Sequence, residues 1–192
     1  MTQATPARAT YRRVESAVSA NDDTYTVTRL TVEVPGVREF QHRYERAVPP
    51  NPARDIAALV EHQASWPEVL DRMAESAPHG FVIYFRNDVH PVMELAGDHA
   101  DCVAYLMGNV TIAEQMFRHD PRAMLYAPLH TVIWEDAAGR SRFTADQPSS
   151  QFESFGIPEV SAVGVELDRK LAALLEALAV EVPMALLSSA PS

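Results

Sequence analysis

Residues 99–117 read HADCVAYLMGNVTIAEQMF, and this stretch decides which fold the sequence favours. Its first half is a short apolar run of the kind found in buried strands, and the Gly108-Asn109 step is typical of a corner. The residues after the corner place apolar side chains at helical spacing, with Thr111 and Glu114 in the register of a capping box. We therefore predict a strand, a corner and a helix of about two to three turns.

A competing interpretation makes the same stretch a ligand site, with His99 and Cys102 as metal ligands and the Gly108-Asn109 turn as an anion site. Residues three apart on a strand point to opposite faces of the sheet, and no second cysteine or paired histidine motif accompanies these two. We therefore expect no metal here, and ordinary helix capping explains the corner better than anion binding.

Patterns on both sides of this stretch extend the prediction. Strands are predicted within residues 24–36 and 81–88, and a hairpin within residues 125–148 turns near Gly139. The clearest helical pattern covers residues 158–181, where leucines recur at helical spacing. The order of elements favours an α+β fold, a two-layer sandwich in which helices pack on an antiparallel sheet in the order β-α-β4-α.

Helical patterns also lie between the first two strands. One covers residues 37–48, a second starts near Ala53, and a third is capped by Ser65 and Glu68 as a capping box. We expect one domain over residues 10–183, with loose tails at residues 1–9 and 184–192.

Composition limits the classes of function. The chain has 192 residues with 47% hydrophobic residues, which is enough for a sizeable core. A net charge of −10 disfavours nucleic acid and anionic membrane surfaces as partners. The single cysteine fits a reducing compartment, and the N-terminus lacks the apolar core of a secretory signal. We therefore expect a cytoplasmic protein without nucleic-acid or membrane partners.

Familiar catalytic and nucleotide-binding motifs are missing from the sequence, including the P-loop, the dinucleotide fingerprint, the nucleophile elbow and the zincin helix. The sequence therefore leaves open whether the protein is an enzyme.

The candidate ligand-binding residues lie on the predicted strands. His130 shares a strand face with Val132 and Trp134, so it is expected to point into an apolar layer, where it could ligate haem iron or orient a ligand. Tyr105 and Met107 on the neighbouring strand could line the same cavity. The alternative for all of these residues is ordinary core packing, with a structural histidine.

Two other positions complete the candidate set. Asn109 at the helix start joins the ligand-binding residues, because free N–H groups there could hold a polar group. Asp88 and His90 lie on the same side of an extended segment, a spacing that suits an acid/base pair, although a polar turn before Pro91 is equally natural.

The segment from residue 79 to about residue 181 resembles the bacterial domain-of-unknown-function 302 family. The pattern is a Gly80-Phe81 strand start, a strand ending in Gly108-Asn109, a short helix, a proline before the next strand and a hairpin ending near a proline; the prolines are Pro128 and Pro148. The resemblance implies a compact β-α-β4-α fold, commonly a homodimer, with no catalytic residues to transfer. Compared with that pattern, residues 36–64 form an extra N-terminal helical insertion.

Three functions follow as hypotheses. The leading one is a protein that binds a small apolar or amphipathic ligand between sheet and helices, as a homodimer. The second is a haem- or metal-dependent enzyme with His130 as the ligand, or an acid/base enzyme using Asp88 and His90. The third is a structural dimer module without a ligand.

Overall fold

The computed structural model describes residues 23–188, so the tail predicted at residues 1–9 lies outside the described part. The five strands are β1 Arg29–Glu33, β2 Val82–Asp88, β3 Cys102–Gly108, β4 Leu129–Glu135 and β5 Ser141–Asp146. The helices are α1 Val37–Ala47, α2 Ala53–Glu61, α3 Trp66–Ser76, α4 His90–Glu94, α5 Val110–Phe117, α6 Pro148–Phe152, α7 Pro158–Ala177 and α8 Met184–Leu187. Short 3-10 helices cover Pro121–Leu125 and Glu153–Phe155.

The strands form one sheet in the order β1-β5-β4-β3-β2, and every neighbouring pair is antiparallel. The predicted α+β class and the antiparallel sheet are confirmed. The short helices α4 and α6 were not predicted. Each has only five residues, which is too few to show a helical period in the sequence.

The two faces of the sheet differ sharply in burial. On β4 the side chains of Leu129, Thr131 and Ile133 are buried, whereas His130 is exposed and Trp134 is only half-buried. Helices α1 and α7 supply the other side of the core, which makes the molecule a two-layer sandwich. The expectation that His130 points into an apolar layer is therefore wrong: it lies on the face opposite the core.

Helix α1 occupies the centre of the core, although it falls in the segment predicted as an insertion. Phe40 and Tyr44 are fully buried, and their rings pack against Phe143 and Tyr105 at centroid distances of 5.9 and 5.0 Å. Helix α2, in contrast, has no buried residue. Residues 36–64 therefore contain one helix that the core requires and one that lies on the surface.

Local capping agrees with the sequence in one helix and corrects it in another. The predicted capping box of Ser65 and Glu68 is present at the start of α3. At α5 the cap is Asn109, not Thr111, because the Asn109 side chain accepts a hydrogen bond from the Thr111 N–H at 2.9 Å. An asparagine at the corner stabilises the first turn in the usual way and starts the helix two residues earlier than the capping-box register predicts.

The C-terminal segment is more ordered than predicted. Residues 184–187 form α8, and Leu186 is buried in the main core. The expectation of a loose tail beginning at residue 184 is wrong for these residues, since four residues are too short to show a helical period in the sequence.

Candidate ligand-binding pocket

An apolar pocket of about 220 Å³ lies where β3 ends and α5 begins. Helix α5 forms one wall, the start of β4 and the 3-10 helix at Pro121–Leu125 form another, and α7 closes the base. The lining residues are Tyr84, Gly108, Asn109, Val110, Ile112, Ala113, Met116, Met124, Ala127, Pro128, Leu129 and Leu167. Because almost every wall is a hydrocarbon or thioether group, the pocket suits an apolar ligand.

Gly108 allows the two strand ends to come together at this pocket. A Cβ at this position would lie 3.3 Å from Pro128 Cα and 3.6 Å from Tyr84 Cε2. The peptide bond between Ala127 and Pro128 is cis. A residue without a side chain therefore lets Pro128 approach β3 closely, beside Tyr84.

Tyr84 reaches the pocket because β2 contains an irregularity. The register of β2 against β3 shifts between Ile83 and Phe85, so Tyr84 has no partner in the ladder. Such a bulge re-aims a side chain, here towards the start of α5. Burial raises the pKa of Tyr84 and a hydrogen bond from the Val110 N–H partly offsets it, so the phenol is neutral near pH 7.

The amide of Asn109 makes three hydrogen bonds within the protein. Its Oδ1 accepts hydrogen bonds from the Thr111 N–H at 2.9 Å and the Thr111 hydroxyl at 2.7 Å, and its Nδ2 donates to the Gly80 carbonyl at 3.2 Å. Asn109 therefore shapes the pocket by capping α5 with its Oδ1, while its Nδ2 ties the corner to Gly80.

The five ligand-binding residues predicted from the sequence lie in three different places. Asn109 lines the pocket, whereas Tyr105 and Met107 are buried in the core beneath α1, and His130 and Trp134 lie on the opposite sheet face. The register explains the division: Tyr105 pairs with Thr131, and Leu106 pairs with His130. Since paired residues share a face, Tyr105 and His130 point away from each other, and the prediction of one shared cavity is wrong.

The core positions of Tyr105 and Met107 have polar partners of their own. The Tyr105 hydroxyl donates to Glu45 Oε1 at 2.8 Å, and the Met107 sulfur accepts from the Tyr44 hydroxyl at 3.1 Å. The Tyr44 hydroxyl also lies 3.0 Å from Thr131 Oγ1. These contacts satisfy polar atoms inside the core, which is a structural role.

His130 and Trp134 border a wide, shallow groove across β1, β5, β4 and β3 on the open sheet face. The Trp134 Nε1–H donates to Thr144 Oγ1 at 2.9 Å, which fixes the indole against β5. Among residues 23–188 no group of three or more His, Cys, Asp or Glu side chains is placed to hold a metal ion.

Asp88 belongs to an ion cluster that the sequence did not predict, and His90 lies at its border. Arg38 on α1 donates to Asp88 at 2.7 Å and to Asp101 at 2.6 Å, and His90 Nδ1 lies 3.8 Å from Asp101. Arg86 also lies 3.5 Å from Asp88. We call Arg38, Glu45, Arg86, Asp88 and Asp101 the ion cluster.

The electrostatics of the ion cluster favour a structural role. The hydrogen bond from Arg38 holds the pKa of Asp88 below its usual value despite partial burial. Burial raises the pKa of Glu45, but hydrogen bonds from Tyr105, Gln41 and Arg86 outweigh it and leave the pKa lowered. Both carboxylates are therefore ionised at neutral pH and hold α1 to β2, a poor state for a general acid.

Most of the pocket was not recognised from the sequence. Ile112, Ala113 and Met116 follow the helical spacing of α5, but the same spacing is typical of core packing, so it does not mark a ligand site. The position of Tyr84 in the pocket could not be predicted from strand alternation, because a bulge changes which face a residue occupies.

The model of the family described as Domain of unknown function DUF302 matches residues 59–178, more than half of the chain. The chain is thus an α+β sandwich protein of a recognised family, and it belongs to DUF302. The match begins within α2, so β1 and α1 lie outside it.

A solved structure supports the fold. The crystal structure of an uncharacterized conserved DUF302 protein from Bacillus stearothermophilus superposes with a TM-score of 0.56 at 16% sequence identity. The match covers 78% of this chain and 97% of that chain. No curated protein matches this chain. Within the described residues 23–188, no helix is long and apolar enough to cross a membrane.

Proposed function

We propose that the protein binds one small apolar or amphipathic molecule in the pocket between β3, β4 and α5. The observation that carries the proposal is a space of about 220 Å³ with apolar walls at the end of the sheet. Small-molecule sites are typically concave, mostly apolar clefts with a few polar groups, and this pocket has that character. An apolar cavity of about 150 Å³ is enough to hold benzene, so this pocket suits a ligand somewhat larger than benzene.

The walls suit a small ligand in two further ways. Met116 and Met124 both line the pocket, and the flexible thioether side chain adapts to ligands of different shape. Tyr84 lines the pocket and is 37% exposed, so the pocket is open to solvent beside this side chain. Its hydroxyl adds one polar atom to the largely apolar walls.

A filled-pocket variant tests the proposal. We expect calorimetry to show saturable, one-to-one binding of toluene to the wild-type protein and loss of that binding in Ala113→Phe, because the new ring occupies the ligand volume. The matched control is Ala173→Phe, which adds the same ring on an exposed position of α7 and should bind toluene normally. Equal binding by both variants, or no binding by the wild type, would contradict the proposal.

We also propose that the protein is a homodimer that pairs through the open sheet face. Four apolar side chains on this face of β2, β3 and β4 support the dimer. Phe85 is 55% exposed, and Leu106, Val132 and Trp134 are half-buried. A contiguous apolar strip on a sheet face is typical of an association surface. The dimer expected from the family resemblance would bury it.

Light scattering after size exclusion tests the dimer. The wild type should have twice the mass of the monomer, and Val132→Lys should be monomeric because a charge in the middle of the interface is left unpaired. Val60→Lys is the matched control, since Val60 is 72% exposed on α2, away from the sheet. A wild type that is monomeric at all concentrations would refute the dimer without affecting ligand binding.

A further inference from the structure

From the polar atoms around the pocket we infer that its ligand is an uncharged molecule with one hydrogen-bond acceptor, such as a ketone, ester or ether, held by the hydroxyl of Tyr84. This inference rests on the proposed function and specifies the ligand class of the same pocket. It depends on which polar atoms around the pocket are free to reach a ligand.

The Tyr84 hydroxyl is available as a donor. Its oxygen lies near the Val110 N–H at the first turn of α5, and within residues 23–188 its own proton has no protein acceptor, so it can donate to a ligand. The neighbouring pocket walls are hydrocarbon, so a ligand acceptor placed beside Tyr84 would receive this proton. The raised pKa of Tyr84 keeps that proton on the oxygen at neutral pH.

The start of α5 does not offer a second site for a polar group. The Thr111 N–H donates to Asn109 Oδ1 at 2.9 Å, and the Ile112 and Ala113 N–H groups donate to the Asn109 carbonyl at 3.1 and 2.9 Å. These three first-turn N–H groups therefore already have partners within the protein.

The negative charge of an anionic ligand would therefore find no positively charged side chain in the pocket lining. The described lining contains no Lys, Arg or His side chain, and the protein has a net charge of −10. Moving a carboxylate from water into apolar surroundings without a charge partner is costly, whereas a carbonyl needs only one donor. The pocket thus favours a neutral acceptor over a carboxylate of the same size.

Three probes that share a cyclohexane ring test the inference: methylcyclohexane, cyclohexyl methyl ketone and cyclohexanecarboxylate at pH 7. Calorimetric titration of Tyr84→Phe should show ketone affinity reduced roughly three- to tenfold, the equivalent of one net hydrogen bond, with hydrocarbon affinity changed less than about twofold. In the wild type the carboxylate should bind at least about tenfold more weakly than the ketone. Tyr25→Phe, at a partly exposed tyrosine outside the pocket, is the matched control and should change neither affinity.

The outcomes separate this inference from the proposed function. If the hydrocarbon binds but Tyr84→Phe leaves the ketone unaffected, or if the carboxylate binds more tightly than the ketone, the inference is overturned and the pocket remains a ligand site. If none of the three probes binds to the wild type, both the inference and the proposed function are overturned.

Discussion

At the scale of single residues, Gly108 shows how one missing side chain opens a pocket. A Cβ at this position would lie 3.3 Å from Pro128 Cα, closer than a normal contact, and 3.6 Å from Tyr84 Cε2, an ordinary contact. The Gly-Asn step was recognised in the sequence as a corner, and Asn109 does cap α5 there. Its role in bringing two distant segments together was not predictable, because the close neighbours come from elsewhere in the chain.

Substitution of Gly108 by alanine should lower stability. A new Cβ 3.3 Å from Pro128 Cα meets backbone, so we expect a loss of about 1–3 kcal/mol in the free energy of unfolding. Alanine also loses less backbone entropy than glycine inside a strand, which stabilises the folded state by about 0.5–1 kcal/mol. The steric and entropic effects on the free energy of unfolding therefore have opposite signs. Urea unfolding of Gly108→Ala decides between them, and a variant more stable than the wild type would contradict the close approach.

At the scale of elements, a buried carboxylate joins α7 to the start of α6. Asp168 is fully buried on α7. It accepts hydrogen bonds from Gln147 Nε2 at 2.8 Å, the Ser149 N–H at 2.9 Å and the Ser149 hydroxyl at 2.6 Å. Because α6 has only five residues, this external cap replaces the stabilisation that a longer helix obtains from its own turns.

Removal of this carboxylate should be among the most destabilising substitutions in the protein. We expect Asp168→Ala to lower the free energy of unfolding by about 3 kcal/mol, because one buried and two partly buried donors lose their acceptor. The matched control is Glu176→Ala on the exposed side of the same helix, which should change stability by less than about 0.5 kcal/mol. Similar melting temperatures for the two variants would show that the α6–α7 junction contributes little.

Strands and long helices were predictable from the sequence because their periodicity is a local property. The alternation on β4 was also assigned correctly, with His130, Val132 and Trp134 on one face and Leu129, Thr131 and Ile133 on the other. Which face is buried was not predictable, since both sets contain large apolar residues. Packing of α1 decides it, through Tyr44 against Thr131.

The unknown register between strands also explains why the residues predicted to line one cavity lie in separate places. Tyr105 and His130 each lie on a correctly predicted strand, but the register between strands places them on opposite faces. A shift of one residue in register reverses every side chain, and a single sequence contains no direct measure of it.

At the scale of the whole molecule, the ion cluster links α1 to the β2 edge of the sheet and makes stability depend on pH. The folded-state pKa values of Asp88 and Glu45 are depressed below their ordinary values of 3.8 and 4.5. A depressed carboxyl pKa contributes stability that is present above the ordinary value and is lost as pH falls through the folded value. Stability should therefore decline below about pH 4.5.

Asp88→Asn isolates one member of the cluster. At pH 7 the variant should be less stable by about 1 kcal/mol, a modest figure because Arg38 is 42% exposed and solvent screens the pair. As pH falls below 3.8 the difference should shrink, because the unfolded wild type protonates Asp88 before the folded wild type does. Urea unfolding at pH 7 and pH 3 measures both differences, and an unchanged difference would show that the Asp88 charge does not stabilise the fold.

The central claim, a ligand pocket beside α5, is tested most directly by methyl NMR of protein labelled at the methionine methyl carbons during titration with toluene. Met116 and Met124 line the pocket, whereas Met93 and Met184 are 44% and 75% exposed elsewhere on the surface. Ring-current shifts that saturate for Met116 and Met124, with Met93 and Met184 unmoved, are the predicted result. Unshifted Met116 and Met124 signals at saturating toluene would contradict the claim.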